Sequence, residues 1–198
     1  MKPRRSNLTQ IGANPDEKSH ADGLIVGFFH SGISVTDLDR SLGFYRDELR
    51  LEVLVQRDAT DEYLRRMHEL PFTLVRMAFL RIPNSTTVIE LLEYRGVELN
   101  RPTYVPMDPA TGHVCLLVDD VHALFDRLRA RGYRARSVGP IEITAGPNKG
   151  SWAVYFEDPD GYPVEFIERS SNEVARPHQG RGGSLSDGAP STAEKRGR

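Results

Sequence analysis

The chain predicts an α+β fold, in which paired βαβββ modules form a curled sheet around a metal-binding cleft. Two observations carry that prediction. The order strand, helix, three strands occurs twice along the 198 residues, and an internal repeat constrains architecture more than any single motif. The second copy also ends in a well-marked hairpin, where Trp152 to Phe156 and Pro163 to Glu168 flank the turn Asp158-Pro159-Asp160-Gly161. Pro159 presets φ, Asp158 can bond back to the backbone, and Gly161 accepts a positive φ.

Composition narrows the class. Apolar residues make up 38% of the chain, enough for a real core. The net charge of -2 and the lack of Lys/Arg clusters interleaved with aromatics point to no nucleic acid and no acidic membrane as a partner. The only cysteine, Cys115, rules out an internal disulfide and suits a reducing compartment. No apolar run is long enough to span a membrane, and the N-terminus lacks a signal-peptide core. A cytoplasmic protein with a small-molecule substrate is the expectation.

Residues 1–22 and 171–198 are polar, lack aromatics and read as a disordered arm and tail around a domain of 23–170. The domain divides into modules of about 27–97 and 111–169. The first opens with a strand from Ile25 to Val35, which puts Phe28, His30, Gly32 and Ser34 on one face. Thr36 or Asp37 then caps a helix that carries Leu38, Leu42 and Tyr45 and runs to about Leu49. Leu51 to Arg57 is a strand. Thr60 to Leu70 reads as a short inserted helix with Tyr63, Leu64, Met67 and Leu70 as its stripe, stopped by Pro71. Strands from Phe72 to Ile82 and Thr86 to Tyr94 close the module, and a linker with three prolines spans Arg95 to Thr111.

The second module repeats the order. Gly112 to Val118 is a strand, and Asp119 caps a helix to Arg131 with Val121, Leu124, Phe125 and Leu128 buried. Gly132 ends it, Tyr133 to Val138 is a strand, and the hairpin follows. Within its last strand Pro163, Glu165 and Ile167 share one face, so Glu165 is a carboxylate between apolar neighbours. Such a group needs a partner, a cation or a raised pKa.

Four ligand-type residues fall at matching points of the two modules. His30 and His113 stand on the first strands, Glu90 and Glu165 on the last. Sixty residues separate the first pair and 52 the second, and the inserted helix accounts for the difference. Two imidazoles and two carboxylates form an oxygen and nitrogen donor set for a divalent transition metal, Ni, Co, Zn, Mn or Fe. Two coordination positions would remain for a bidentate substrate. The other histidines lack this placement: His20 and His178 are in the terminal segments, while His68 and His122 are expected on solvated helix faces. Cys115 shares the face of His113 and reads as a small buried residue. Secondary candidates are Asn148, Lys149 and Gly150 toward an anionic group, Tyr104 as a cover over the cleft, and Arg57 and Arg76, whose sides the sequence leaves open.

His30 with Val35-Thr-Asp-Leu-Asp-Arg-Ser-Leu-Gly-Phe-Tyr45, Val88-Ile-Glu-Leu-Leu92, Gly112-His-Val-Cys-Leu-Leu-Val-Asp-Asp120 and Asp158-Pro-Asp-Gly-Tyr-Pro-Val-Glu165 resemble the vicinal oxygen chelate superfamily of glyoxalases, bleomycin-resistance proteins and extradiol dioxygenases. The resemblance implies paired modules, a metal in the cleft and a homodimer. The His30, Glu90, His113, Glu165 set is most similar to bacterial glyoxalase I, which implies that Glu90 and Glu165 are both ligands and proton carriers. Where that pattern has an arginine four residues after the first ligand this chain has Ser34, and where it has an asparagine four after the second it has Tyr94. Methylmalonyl-CoA epimerases, similar in fold, usually carry glutamine at the place of Glu90. The function expected is a metal-dependent glyoxalase-like lyase, isomerase or epimerase. The alternatives are an Fe(II)-dependent extradiol-type dioxygenase, against which a fourth protein ligand argues, and a non-catalytic binding or resistance protein.

Overall fold

The computed structural model describes residues 24, 25, 27–100, 104, 105 and 107–170. The arm and tail expected at 1–22 and 171–198, with His20 and His178, lie outside the described residues. Within them the two modules appear as two four-stranded sheets. The first contains β1 (His30–Ser34), β2 (Glu52–Ala59), β3 (Leu74–Arg81) and β4 (Val88–Arg95) in the order β1-β4-β3-β2. The second contains β5 (Val114–Leu117), β6 (Ile141–Glu142), β7 (Trp152–Glu157) and β8 (Pro163–Glu168) in the order β5-β8-β7-β6. In each, the first strand runs parallel to the last and the remaining pairs are antiparallel.

The register repeats the sequence symmetry. Glu90 pairs with Gly32 on one side and Phe79 on the other. Glu165 pairs with Cys115 and Tyr155. Side chains alternate across a strand, so Ile89, Leu91, Val164 and Phe166 enter the core while Glu90 and Glu165 stand on the opposite faces.

The helices cover the core faces. Asp37 caps α1 (Leu38–Leu42) by accepting the Arg40 amide at 3.0 Å. The chain then widens into a π-helical turn, Gly43–Glu48, whose signature is the bond from the Leu49 amide to the Phe44 carbonyl at 3.0 Å. That turn places the sequence neighbours Phe44 and Tyr45 both in the core. The inserted helix α2 (Glu62–His68) lies on the open side of the first sheet. It buries Leu64 against Phe72, Val75 and Met77. Tyr63, Met67 and Leu70, expected on its buried stripe, are exposed, because a helix of this length covers the sheet with a single turn.

Two boundaries of the second module differ from expectation. The helix α3 (Val121–Ala130) is capped by Asp120 rather than Asp119, its carboxylate accepting the Ala123 amide at 2.8 Å. The strand expected from Tyr133 to Val138 shrinks to one bridge, Ala135 to Phe156. The chain bends over residues 136–139, where the Ser137 hydroxyl donates to the Gly139 carbonyl at 2.7 Å, and pairing resumes only at the two residues of β6.

One core joins the modules, with Phe44, Tyr45 and Leu91 from the first meeting Leu128, Phe156 and Phe166 from the second. The last turn ties them by polar bonds. Tyr45 donates its hydroxyl to Asp158 Oδ2 at 3.1 Å, and Asp158 Oδ1 accepts the amides of Asp160 and Tyr162 at 2.9 and 2.8 Å. Gly161 takes a φ of 89°, as the turn requires.

Candidate metal centre

Each sheet presents one His–Glu pair. His30, at the first position of β1, holds its Nε2 3.1 Å from Glu90 Oε2. His113, one residue before β5, holds its Nε2 3.1 Å from Glu165 Oε2. Both carboxylates are largely enclosed, their side chains 13% and 15% exposed, whereas the imidazoles remain open at 36% and 44%. The sequence placed all four in one cleft; the structure brings them together two by two. Among the described residues no group of three or more His, Cys, Asp and Glu lies close enough to share a metal ion. The physical reason lies in the packing: the modules meet through the faces that carry α1 and α3, and the Glu90 and Glu165 faces are the other ones.

The pairs suit a metal as far as each goes. Two neighbouring ligands at about 2.1 Å from an ion, set at right angles, stand about 3.0 Å apart, close to the 3.1 Å seen twice. His30 Nδ1 is buried without a hydrogen-bond partner, so the ring is oriented through Nε2 and the carboxylate. Burial pushes the Glu90 carboxyl above its ordinary range, opposed by the fields of His30, His68 and Arg57. Holding that group as an anion therefore calls for a nearby cation.

The surroundings of the two pairs differ. At the first, Phe79 turns its ring edge-on to His30 with centroids 6.2 Å apart. At the second, Tyr155 occupies the matching register position. Its ring stands 5.2 Å from that of His113, its hydroxyl lies 3.3 Å from His113 Nε2, and it hydrogen-bonds Glu165. Desolvation and then the Glu165 carboxylate push the Tyr155 hydroxyl up to about 12. The Cys115 thiol is pushed up to about 12 by the same two causes. Cys115 is exposed rather than buried, since its register opposite Glu165 turns it to the open face.

The remaining candidates separate. Arg57 is exposed beside Tyr63, its guanidinium 3.3 Å from the Tyr63 hydroxyl, and its field reaches Glu90. Arg76 is tied to Asp39, Asp58 and Glu93 and serves the fold. His68 and His122 are exposed, as expected, with their rings edge-on to Phe72 and Tyr94 and to Trp152. Lys149 lies in an exposed turn. Two residues escaped sequence reasoning. Glu93 Oε2 accepts the first amide of α1, Leu38, at 2.9 Å, and Glu168 Oε2 accepts the first amide of α3, Val121, at 2.9 Å. Their signal was the repeated spacing Glu90-Leu-Leu-Glu93 and Glu165-Phe-Ile-Glu168.

Known proteins resemble this chain in sequence and fold. The profile of the Glyoxalase/Bleomycin resistance protein/Dioxygenase superfamily matches residues 27–166. Lactoylglutathione lyase of Haemophilus influenzae is 35% identical over 148 residues, 73% of this chain and 93% of that protein. The 2-epi-5-epi-valiolone epimerase of an Actinomyces species is 33% identical over 146 residues, 72% of this chain and 79% of that protein. A glyoxalase family protein from Bacillus cereus has the same fold, with a TM-score of 0.64 at 19% identity over 75% of this chain and 97% of that one. Both βαβββ modules fall inside the profile match, and with them both His–Glu pairs, so the chain belongs to the Glyoxalase/Bleomycin resistance protein/Dioxygenase superfamily.

Proposed function

We propose that the protein is a metal-dependent, glyoxalase-like lyase or isomerase that moves a proton next to a carbonyl of a small oxygenated substrate. The site is completed by a second copy of the chain, His30 and Glu90 of one copy meeting His113 and Glu165 of the other. The observation that carries this is the duplicated His–Glu pair, each at 3.1 Å. A two-fold axis turns two complementary halves on each chain into two whole sites. Exposed apolar residues beside the pairs, Phe28 and Phe29 before His30 and Leu117 after His113, are 66%, 45% and 59% exposed and suit coverage by a partner. The names of the relatives, a lyase and an epimerase, support the reaction class.

A bound divalent ion would supply Lewis acidity toward the substrate carbonyl, and His30 and His113 would hold it through Nε2. Glu90 takes a proton at a carboxylate oxygen from the carbon beside the carbonyl and returns it to the adjacent atom, a task favoured by its burial. Glu165 is held by Tyr155 and Cys115 and keeps its orientation as ligand. The test is elemental analysis of the purified protein, followed by turnover with methylglyoxal and glutathione in wild type, Glu90→Gln and Glu165→Gln. Bound metal and loss of turnover in both variants support the reading. Full metal and full turnover on the true substrate in both would sink it.

A further inference from the structure

The open face of the first sheet carries a cation besides the His30–Glu90 pair. The register sets Val55, Phe79 and Glu90 in one row across β2, β3 and β4, and Arg57, Met77 and Leu92 in the next. Residues two apart on a strand share a face, so Arg57 stands on the side of Glu90. Two strand spacings of about 4.8 Å and one two-residue step of about 6.8 Å put the Cα atoms of Arg57 and Glu90 about 12 Å apart. Val55, Phe79 and Leu92, each half-buried, give the ground between them an apolar surface.

The helix α2 borders this ground. Arg57 Nη2 lies 3.3 Å from the Tyr63 hydroxyl and 3.9 Å from Asp61 Oδ2. The Asp61 pair is loose, and its side chains are 47% and 48% exposed, so it spends little of the charge and contributes little to the fold. The Tyr63 hydroxyl takes one of the five N–H groups of the guanidinium. At the other end of α2, His68 Nε2 lies 3.5 Å from the hydroxyl of Tyr94, which shares the face of Glu90 on β4. The fields of His68 and Arg57 both act on the Glu90 carboxyl, after burial and His30. A guanidinium thus faces a carboxylate across an apolar floor, with room between them for a short carbon chain.

We propose that Arg57 is a specificity-determining residue, which holds the carboxylate of a small oxo acid whose carbonyl lies toward His30 and Glu90. A carbonyl and an acid separated by two methylenes measure about 6 Å between oxygens, and a hydrogen bond of about 3 Å at each end completes the span. The inference rests on the proposed function for the fate of that carbonyl, while recognition of the acid needs only Arg57 and the floor. Saturation-transfer NMR on the full, metal-free chain tests it, with levulinate and its neutral counterpart levulinamide as probes. Levulinate should bind about fivefold more tightly than the amide, the size of one exposed charge pair. Arg57→Gln should abolish that preference and Arg57→Lys should keep part of it, both with Tm within about 2 °C of wild type. Equal binding of the two probes, no binding of levulinate, or a preference that survives Arg57→Gln would overturn the assignment. Metal content measured on the same sample keeps the two readings apart. Charge-selective binding to a protein that takes up no metal supports the role of Arg57 and overturns only the proposed function.

Discussion

Asp160 accepts both the amide of Thr36, at 2.8 Å, and its hydroxyl, across 124 positions of the chain. Burial alone would raise the Asp160 carboxyl, but the two Thr36 donors and Arg40 outweigh it and hold the group below its ordinary range. Glu93 is alike: burial is outweighed by the Leu38 amide, Arg95 and Arg76. A depressed carboxylate contributes stability that is full above its unfolded pKa, near 4, and is lost as pH falls through the lower folded value. Asp158 has the opposite sign, since burial raises its carboxyl and protonation favours the folded form. Asp160→Asn should therefore lower Tm by about 5 °C at pH 7, and the gap to wild type should close as pH drops below about 4. Thermal melts at several pH values check this; a gap that widens in acid would contradict it.

The proposed sharing of the site between two copies makes a prediction that a site within one chain does not. A chain carrying His30→Ala and Glu90→Gln, and another carrying His113→Ala and Glu165→Gln, should each be inactive. Mixed after partial unfolding and refolding, half of the dimers are heterodimers, each with one intact site, so about a quarter of wild-type activity should return. No recovery despite mixed dimers seen by native mass spectrometry would rule out sharing.

Metal removal should act on assembly as well as on turnover. An ion held half by each copy, as proposed, would add its binding energy to the interface. Chelation should lower Tm by several degrees and shift the protein from dimer toward monomer in sedimentation velocity, with both effects reversed by the divalent ion. A dimer unmoved by chelation would mean the ion lies elsewhere.

Tyr155 breaks the symmetry of the two pairs, since Phe79 has no hydroxyl at the matching place. Tyr155→Phe makes them alike and removes one hydrogen bond worth about 1 kcal/mol. Because Tyr155 holds Glu165, metal affinity should fall about fivefold and Tm by a few degrees. Metal affinity equal to wild type in the variant would contradict that support.

The fold was legible where local chemistry and the repeat agreed. Asp158 to Gly161 forms the turn its residues demand, and His30, Glu90, His113 and Glu165 stood out because the same residue types recur at the same place in each module. Asp120 took the cap from its neighbour Asp119, a choice between two equivalent carboxylates that only backbone geometry decides. The strand from Tyr133 was cut short by a bend at 136–139, held by the Ser137 hydroxyl on the Gly139 carbonyl, which alternation does not reveal. The two-by-two division of the ligands was illegible for a different reason. Which faces of two modules meet depends on how Phe44, Tyr45, Leu128 and Phe156 pack, and strand periodicity does not encode that.

Glu90 and Glu93 sit three residues apart on β4, as Glu165 and Glu168 do on β8, and an odd spacing in a strand sends side chains to opposite faces. One face reads the imidazole while the other holds the first amide of a helix. Each of these strands therefore serves two surfaces at once, an open face that carries a His–Glu pair and a core face that fixes where α1 or α3 begins.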